Sequence, residues 1–235
     1  MTTRKRISLI ALLSIAVAGV ITPSAHSAAT RYITVSAQGT VKVVPDAVRI
    51  NATATSVAAT SKEALAATAK TATAVRAALK TAKIDTKDIA TQSVSVYPEY
   101  KYTNDGGSTL TGYRGSQSFT ITVRAADTAG SLVDALVAAG GDNLQINGAT
   151  PFVLDSTKSL EAARAAAVKS AKAKATSYAK LMGVKLGTVN YLVENSSPTN
   201  YTPVMAVAKA ESDATVIDLG QQDVSISVTV QWSLL

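Results

Sequence analysis

Val224-Ser225-Ile226-Ser227-Val228-Thr229-Val230-Gln231-Trp232-Ser233-Leu234 alternates apolar and polar side chains without a break. A period of two marks a strand with one dry face and one wet face. The same pattern recurs upstream. Ile33, Val35 and Ala37 alternate with Thr34, Ser36 and Gln38. Val48, Ile50, Ala52 and Ala54 alternate with Arg49, Asn51, Thr53 and Thr55. Phe119, Ile121 and Val123 alternate with Thr120, Thr122 and Arg124. Strands of a doubly wound parallel sheet would be apolar on both faces. The expected fold class is therefore α+β, with a mixed, largely antiparallel sheet and Ala-rich helices.

Three helical patterns interrupt the strands. Thr60-Ser61-Lys62-Glu63 is a capping box, with Thr60 at the N-cap and Glu63 at the third helical position. Leu65, Thr68, Ala72, Val75, Leu79 and Ala82 then form one stripe, and Lys80 and Lys83 sit where the helix dipole favours cations. A shorter helix carries Leu132, Val133, Leu136 and Val137 and stops at Gly140-Gly141. The longest runs over 156–182, with Leu160, Ala163, Ala167, Ala171, Ala175, Tyr178 and Met182 on its apolar stripe. Lys158, Glu161, Lys169, Lys172 and Lys180 occupy the other face, which reads as a solvated surface.

The expected order is strand 31–44, strand 46–57, helix 58–82, strands 89–102 and 111–124, helix 128–139, strand 143–154, helix 156–182, and strands 186–194 and 222–234. A β-α-β-β unit occurs twice in this order, over 46–124 and 143–234. That suggests duplication, with halves at 31–124 and 143–235. Asn104-Asp105-Gly106-Gly107 is a turn within a long hairpin. Residues 196–220, with Pro198 and Pro203, form a connection longer than compact domains usually carry.

The N-terminus reads as a secretory leader. Arg4-Lys5-Arg6 is followed by an uncharged apolar run from Ile7 to Ile21, then Pro23 and small residues. Ala25-His26-Ser27 fits the small-x-small rule, which places cleavage between Ser27 and Ala28, with Ala29 as the alternative end. The run is about fifteen residues, short of the ~20 needed to span a bilayer. No second segment is long enough, so no transmembrane span is expected after residues 1–27 are removed. Residues 28–235 suit a single domain. Three of the seven excess positive charges lie in the leader, and the remainder are scattered. No nucleic-acid partner is expected.

The chain has no cysteine, and its single histidine, His26, lies in the leader. Thiol nucleophiles, imidazole bases, Cys/His metal sites and lipid anchoring through cysteine are excluded by composition. G-x-G-x-x-G, P-loop and EF-hand patterns are absent, and no cofactor or metal site is expected. Ser177-Tyr178-Ala179-Lys180 matches S-x-x-K, but no K-T-G exists and Ser212-Asp213-Ala214 is not S-D-N. No catalytic residue is assigned. Paired carboxylates for glycoside hydrolysis cannot be located among sixteen acids. Asp46 after Pro45 reads as a bend between strands. Tyr97, Tyr100, Tyr102 and Tyr113 cluster about the long hairpin, where they either pack across strands or bind a partner.

Several pieces, in order, resemble the SIMPL-domain family of bacterial exported proteins, which includes periplasmic immunogenic proteins. They are Gly39, Val44-Pro45-Asp46-Ala47, Lys62-Glu63-Ala64, Leu79, Lys83-Ile84, Asp88-Ile89, Thr91, Tyr100–Tyr102 and Gly112-Tyr113. They continue with Leu132-Val133, Gly141-Asp142-Asn143, Glu161-Ala162 to Met182-Gly183, Leu186-Gly187 and the strand from Val224 to Trp232. Asp218-Leu219-Gly220 stands where that family usually has Pro-Gly. The resemblance implies an α+β fold, an envelope-associated location and a role in envelope integrity or stress tolerance. It supplies no catalytic residues.

The expected function is that of an exported, non-enzymatic envelope protein, periplasmic or secreted. It acts by self-assembly or by binding an envelope protein or a glycan. A homo-oligomer is expected, because long alternating strands leave edges that must be paired or covered. The alternatives are a cell-wall hydrolase of unusual type and a glycan- or peptide-binding module.

Overall fold

The computed structural model describes residues 31–102, 106–195 and 214–235. The segment read as a leader, with the cleavage expected between Ser27 and Ala28, and most of the 196–220 connection lie outside the described residues. In chain order the elements are β1 (Tyr32–Val43), β2 (Ala47–Ala58), α1 (Ser61–Thr81), β3 (Ile89–Tyr102) and β4 (Ser108–Val123). Then come α2 (Ala129–Gly140), β5 (Leu144–Phe152), α3 (Thr157–Leu181), β6 (Leu186–Asn195) and β7 (Gln222–Leu234). The fold is α+β.

The strands form two sheets, ordered β1-β7-β6 and β3-β4-β2-β5, and every pairing among them is antiparallel. The alternating segment at 224–234 is the central strand of the smaller sheet. Its Val224, Ile226, Val228, Val230 and Trp232 are buried beneath α3 together with Val35 and Ala37 of β1. Its Ser and Thr side chains face outward and pair across strands, as in Ser36–Thr229 at 2.9 Å and Thr40–Ser225 at 2.8 Å. The larger sheet has the same kind of wet face, with Thr53–Ser118 at 3.1 Å and Thr120 donating to Asn51 at 2.9 Å. Such hydroxyl and amide pairs, with the Lys42–Asp223 ion pair at 3.6 Å, hold the polar faces without needing a partner layer.

Alanine decides how α3 sits. Ala163, Ala167, Ala171, Ala175 and Ala179 are buried at strict four-residue spacing. With only methyl groups between, the helix backbone rests on the sheet at Gly39. A Cβ placed there would lie 2.2 Å from both the Ala163 carbonyl oxygen and the Ala167 nitrogen. Tyr178 and Met182, assigned to the apolar stripe from sequence, are exposed instead. The buried row continues by fours to Ala179 and stops there. Leu65, Ala82 and Val137 are likewise exposed, and Ala64 takes the buried place next to Leu65.

The larger sheet packs under α1 and α2. The capping box at Thr60 is formed, with the Glu63 backbone N–H donating to Thr60 Oγ1 at 3.3 Å and the Thr60 N–H to Glu63 Oε2 at 3.2 Å. From α1, Ala72, Val75 and Leu79 meet Val48, Ile50, Phe119, Ile121 and Val123 of the sheet, with Leu132, Val133 and Leu136 of α2 closing the core. Gly115 lies under α1 as Gly39 lies under α3. A Cβ on Gly115 would sit 2.5 Å from Thr68 Oγ1 and 2.7 Å from the Ala64 carbonyl oxygen. Burying the Thr68 hydroxyl costs little, because it donates to that same carbonyl at 2.9 Å.

One feature of the expected duplication is rearranged. The strands β2, β3 and β4 do share a sheet with α1. The strand β5, however, joins that sheet beside β2, and β1 takes the corresponding place beside β7. The sheets therefore do not divide at 124 and 143 as the order of elements suggested. Exchange of end strands is a long-range choice between two edges, and local alternation carries no information about it. The crossing is pinned at the bend. Asp46 Oδ1 accepts from the Leu154 N–H at 2.7 Å, and Gln222 Nε2 donates to the Pro151 carbonyl at 2.7 Å. Thr215 then ties the segment before β7 to α2, its hydroxyl donating to Asp134 at 2.5 Å, while Ile217 and Leu219 pack on the larger core.

Candidate functional site

Helices α3 and α1 each cover two strands of their sheet and leave a neighbouring edge strand open. Helix α3 lies over β1 and β7 and barely reaches β6; α1 lies over β2 and β4 and barely reaches β3. The uncovered strands β6 and β3 both end their sheets, so each presents unpaired backbone groups. These two edges are the candidate sites, and they differ in chemistry.

The β6 edge is apolar. Val189, Tyr191, Leu192 and Val193 are all exposed. Leu192 pairs with Val230 and so faces the helix side, while Tyr191 and Val193 pair with Gln231 and Thr229 on the outer side. Both faces of this strand thus present exposed apolar side chains, beside Asn190 and Asn195, which donate to Gln231 and Thr229 on the outer side. A break in alternation was visible in the run Tyr191-Leu192-Val193, and it was the available signal for such an edge. The one charged contact there among the described residues is Arg164 Nε and Nη2 donating to the Glu194 carboxylate at 2.8 and 3.2 Å. These bonds hold the Glu194 carboxyl below its ordinary value.

The β3 edge is polar and long. Strand β2 pairs with β4 only as far as Tyr113, so residues 98–102 and 108–112 project beyond the sheet as a two-stranded ribbon. Tyr97, Tyr100 and Tyr102 are exposed there, Tyr102 at 78%, and Tyr113 is half-buried. The structure does not bring all four together. Tyr97 pairs with Arg114, and Tyr113 with Pro98, which puts Tyr97 and Tyr113 on opposite faces of the hairpin. Tyr100 and Tyr102 share the face of Tyr113, and Leu110 lies opposite Tyr100. Arg114 is held by Glu99, whose hydrogen bond raises the arginine pKa.

At the other end of β3, Arg76, Lys80, Ile84, Thr86 and Ile89 line a cleft of about 500 Å³. Sequence reading placed Lys80 only as a helix-end charge and passed over Arg76. Beyond Ile84 lies a second cleft of about 280 Å³, whose polar lining includes the Asp88–Arg124 pair with Lys83 and Asp85. Arg124 Nε and Nη2 each donate to the Asp88 carboxylate at 2.7 Å, which holds that carboxyl below the usual range.

Ser177 and Lys180 of the S-x-x-K match lie exposed on α3, outside any cleft described above. No group of three or more His, Cys, Asp or Glu side chains among the described residues is arranged to hold a metal ion. No helix among them is long and apolar enough to cross a membrane.

Two helix-backed antiparallel sheets, each with an uncovered edge strand, define an α+β protein whose chemically distinctive surfaces are strand edges. The chain belongs to the SIMPL family, described as "Protein of unknown function (DUF541)", whose model matches residues 33–232. It is similar to the "Uncharacterized protein YggE" of Edwardsiella ictaluri, with 31% identity over 131 residues and 53% of each chain covered. It is also similar to the "26 kDa periplasmic immunogenic protein" of Brucella melitensis and that of Brucella abortus. Each of these is 30% identical over 157 residues, covering 61% of either chain. The matches thus span from about half to three-fifths of the length of these curated relatives.

Proposed function

We propose that this is an exported, non-enzymatic envelope protein that works by self-assembly through its open strand edges. The observation that carries the reading is the β6 edge, where Val189, Tyr191, Leu192 and Val193 are exposed on a strand with a free backbone side. An edge apolar on both faces invites a second strand and is an aggregation hazard if left uncovered. Symmetric pairing with another copy removes both costs. The leader-like N-terminus and the periplasmic name of the Brucella relatives support an exported location. A role in envelope integrity or stress tolerance is consistent with a scaffold of this kind.

The ribbon bearing Tyr100 and Tyr102, with Tyr113 at its base on the same face and Tyr97 on the other, is a second contact surface, suited to an envelope protein or a glycan through its exposed aromatic rings. The test is sedimentation of the full chain, expressed with its leader and purified after export, at micromolar concentration. An oligomer is expected, and Tyr191→Lys with Val193→Lys reduces it to monomer while the circular dichroism stays unchanged. In the same series Tyr100→Ala with Tyr102→Ala leaves both the oligomer and the melting temperature intact, since these rings are not packed. A wild-type chain that sediments as a strict monomer refutes assembly.

A further inference from the structure

Arg76 and Lys80 stand one turn apart on α1, above the first residues of β3. With Ile84, Thr86 and Ile89 they enclose the cleft of about 500 Å³, a volume in the range of ligand sites. Among the described residues no carboxylate lines it. The acids nearby are already engaged, Asp88 with Arg124 and Asp85 with Lys87 at 2.9 Å. Arg76 is held in place rather than free to wander. Its Nη2 donates to Thr91 Oγ1 at 3.0 Å, and its guanidinium lies 5.4 Å from the centre of the Phe119 ring. A guanidinium fixed in this way keeps its other donors for an anion, and its fork matches a carboxylate. Lys80 makes no ion pair among the described residues.

The half-buried Ile84 and Ile89 give the cleft an aliphatic wall beside the cations. The outer side of β3 adds free backbone donors and acceptors. Pro98 limits strand addition to the part of β3 nearer the cleft, because it has no N–H to offer. A cation pair, an aliphatic wall and an open strand edge match in turn the carboxylate, the last side chain and the backbone of a free peptide C-terminus.

We propose that the α1–β3 cleft binds the C-terminal end of another protein. The terminal carboxylate is taken by Arg76 and Lys80, an aliphatic last side chain rests on Ile84 and Ile89, and the peptide backbone lies along β3. This site is on the other sheet from the β6 edge and does not depend on assembly. A fatty acid would meet the cations and the isoleucines but leave the β3 edge unpaired.

The experiment is selection of hexapeptides with free C-termini from a random library on the full exported chain, at low salt. Peptides ending in Leu, Ile or Val are expected to be enriched. Their affinity falls about tenfold or more when the carboxyl is amidated, as expected for loss of a charge-assisted hydrogen-bonded pair. Arg76→Gln with Lys80→Gln produces the same loss, and Lys169→Gln with Lys172→Gln on α3 produces none. Failure to enrich aliphatic C-termini, equal binding of acid and amide, or full binding by the Arg76/Lys80 variant overturns the proposal. So does binding of laurate at this cleft without any peptide. Sedimentation of the same samples reports assembly separately, so loss of one reading leaves the other standing.

Discussion

The sheet under α3 and the larger sheet under α1 share a three-strand order, β6-β7-β1 in one and β3-β4-β2 in the other, yet their open edges are opposite in character. One edge is apolar on both faces; the other is rich in Ser and Thr and flanked by two cations. Both helices rest on a glycine, Gly39 or Gly115. Both end in a residue with positive φ, Lys83 at 59° and Gly183 at 69°. In both, the next N–H reaches back into the last turn, Ile84 to Leu79 and Val184 to Ala179, each at 3.0 Å. The scaffold is thus held constant where helix meets sheet and varied where the sheet ends. Stability and partner choice are carried by separate residues.

The sharpest way to break the comparison is to fill the two glycines. Gly39→Ala puts a methyl group against helix backbone on two sides, which no rotamer change relieves. We expect a loss of about 3 kcal/mol or more, at or beyond the upper end for overpacking. Gly115→Ala meets a carbonyl and a threonine hydroxyl, of which only the hydroxyl can turn away. Its cost is expected nearer ~2 kcal/mol. Denaturant melts of both variants decide the order. Equal, negligible losses would mean that neither helix rests on its glycine.

A smaller effect distinguishes the helix ends. Lys83 holds a left-handed conformation that penalises a side chain by roughly 1–2 kcal/mol, whereas Gly183 does so freely. Exchange toward glycine, Lys83→Gly, is expected to stabilise by up to ~1 kcal/mol, and Gly183→Ala to destabilise by about 1 kcal/mol. Thermal unfolding of the two single variants reads both signs.

The smallest effect separates the ion pairs. Asp88 and Glu194 are each held below their ordinary pKa by an arginine. A depressed folded value means stability that is fully present above the unfolded carboxylate pKa, about 4. It is lost as the pH falls through the folded values below that. Arg124→Gln and Arg164→Gln should each flatten the acid limb of the stability curve. Unfolding followed from pH 6 downward, at low and high salt, checks this, and an unchanged acid limb in both variants contradicts it.

Much of the fold was legible in the residues. The alternation at 224–234 and at 48–55 fixed strand faces, because one-sided burial leaves a period of two. The capping box at Thr60 and the break at Gly140-Gly141 marked helix ends through local hydrogen bonds. The stripe of α3 was less legible, since a row made of alanine hardly differs in hydropathy from its neighbours, and Tyr178 and Met182 drew the reading off the buried row. The candidate sites were read least well. The tyrosines lay in plain view, but their division between two hairpin faces depended on the pairing register. Arg76 looked like any helix-surface charge.

Local chemistry, then, set which segments became strands and helices and which side of each would be dry, because periodicity, caps and turns act over a few residues. The sequence also settled, through the absence of cysteine, that thiol chemistry is closed to this chain, and it limits imidazole to the single position 26. Only the tertiary structure decided that β1 joins β7 while β5 joins β2, and hence which strands were left as edges. That choice is made between partners far apart in the chain, as in Val35 against Val230 and Ala54 against Leu144. It depends on which edge each strand can close while its helix still rests on glycine, a condition that no short window of sequence contains.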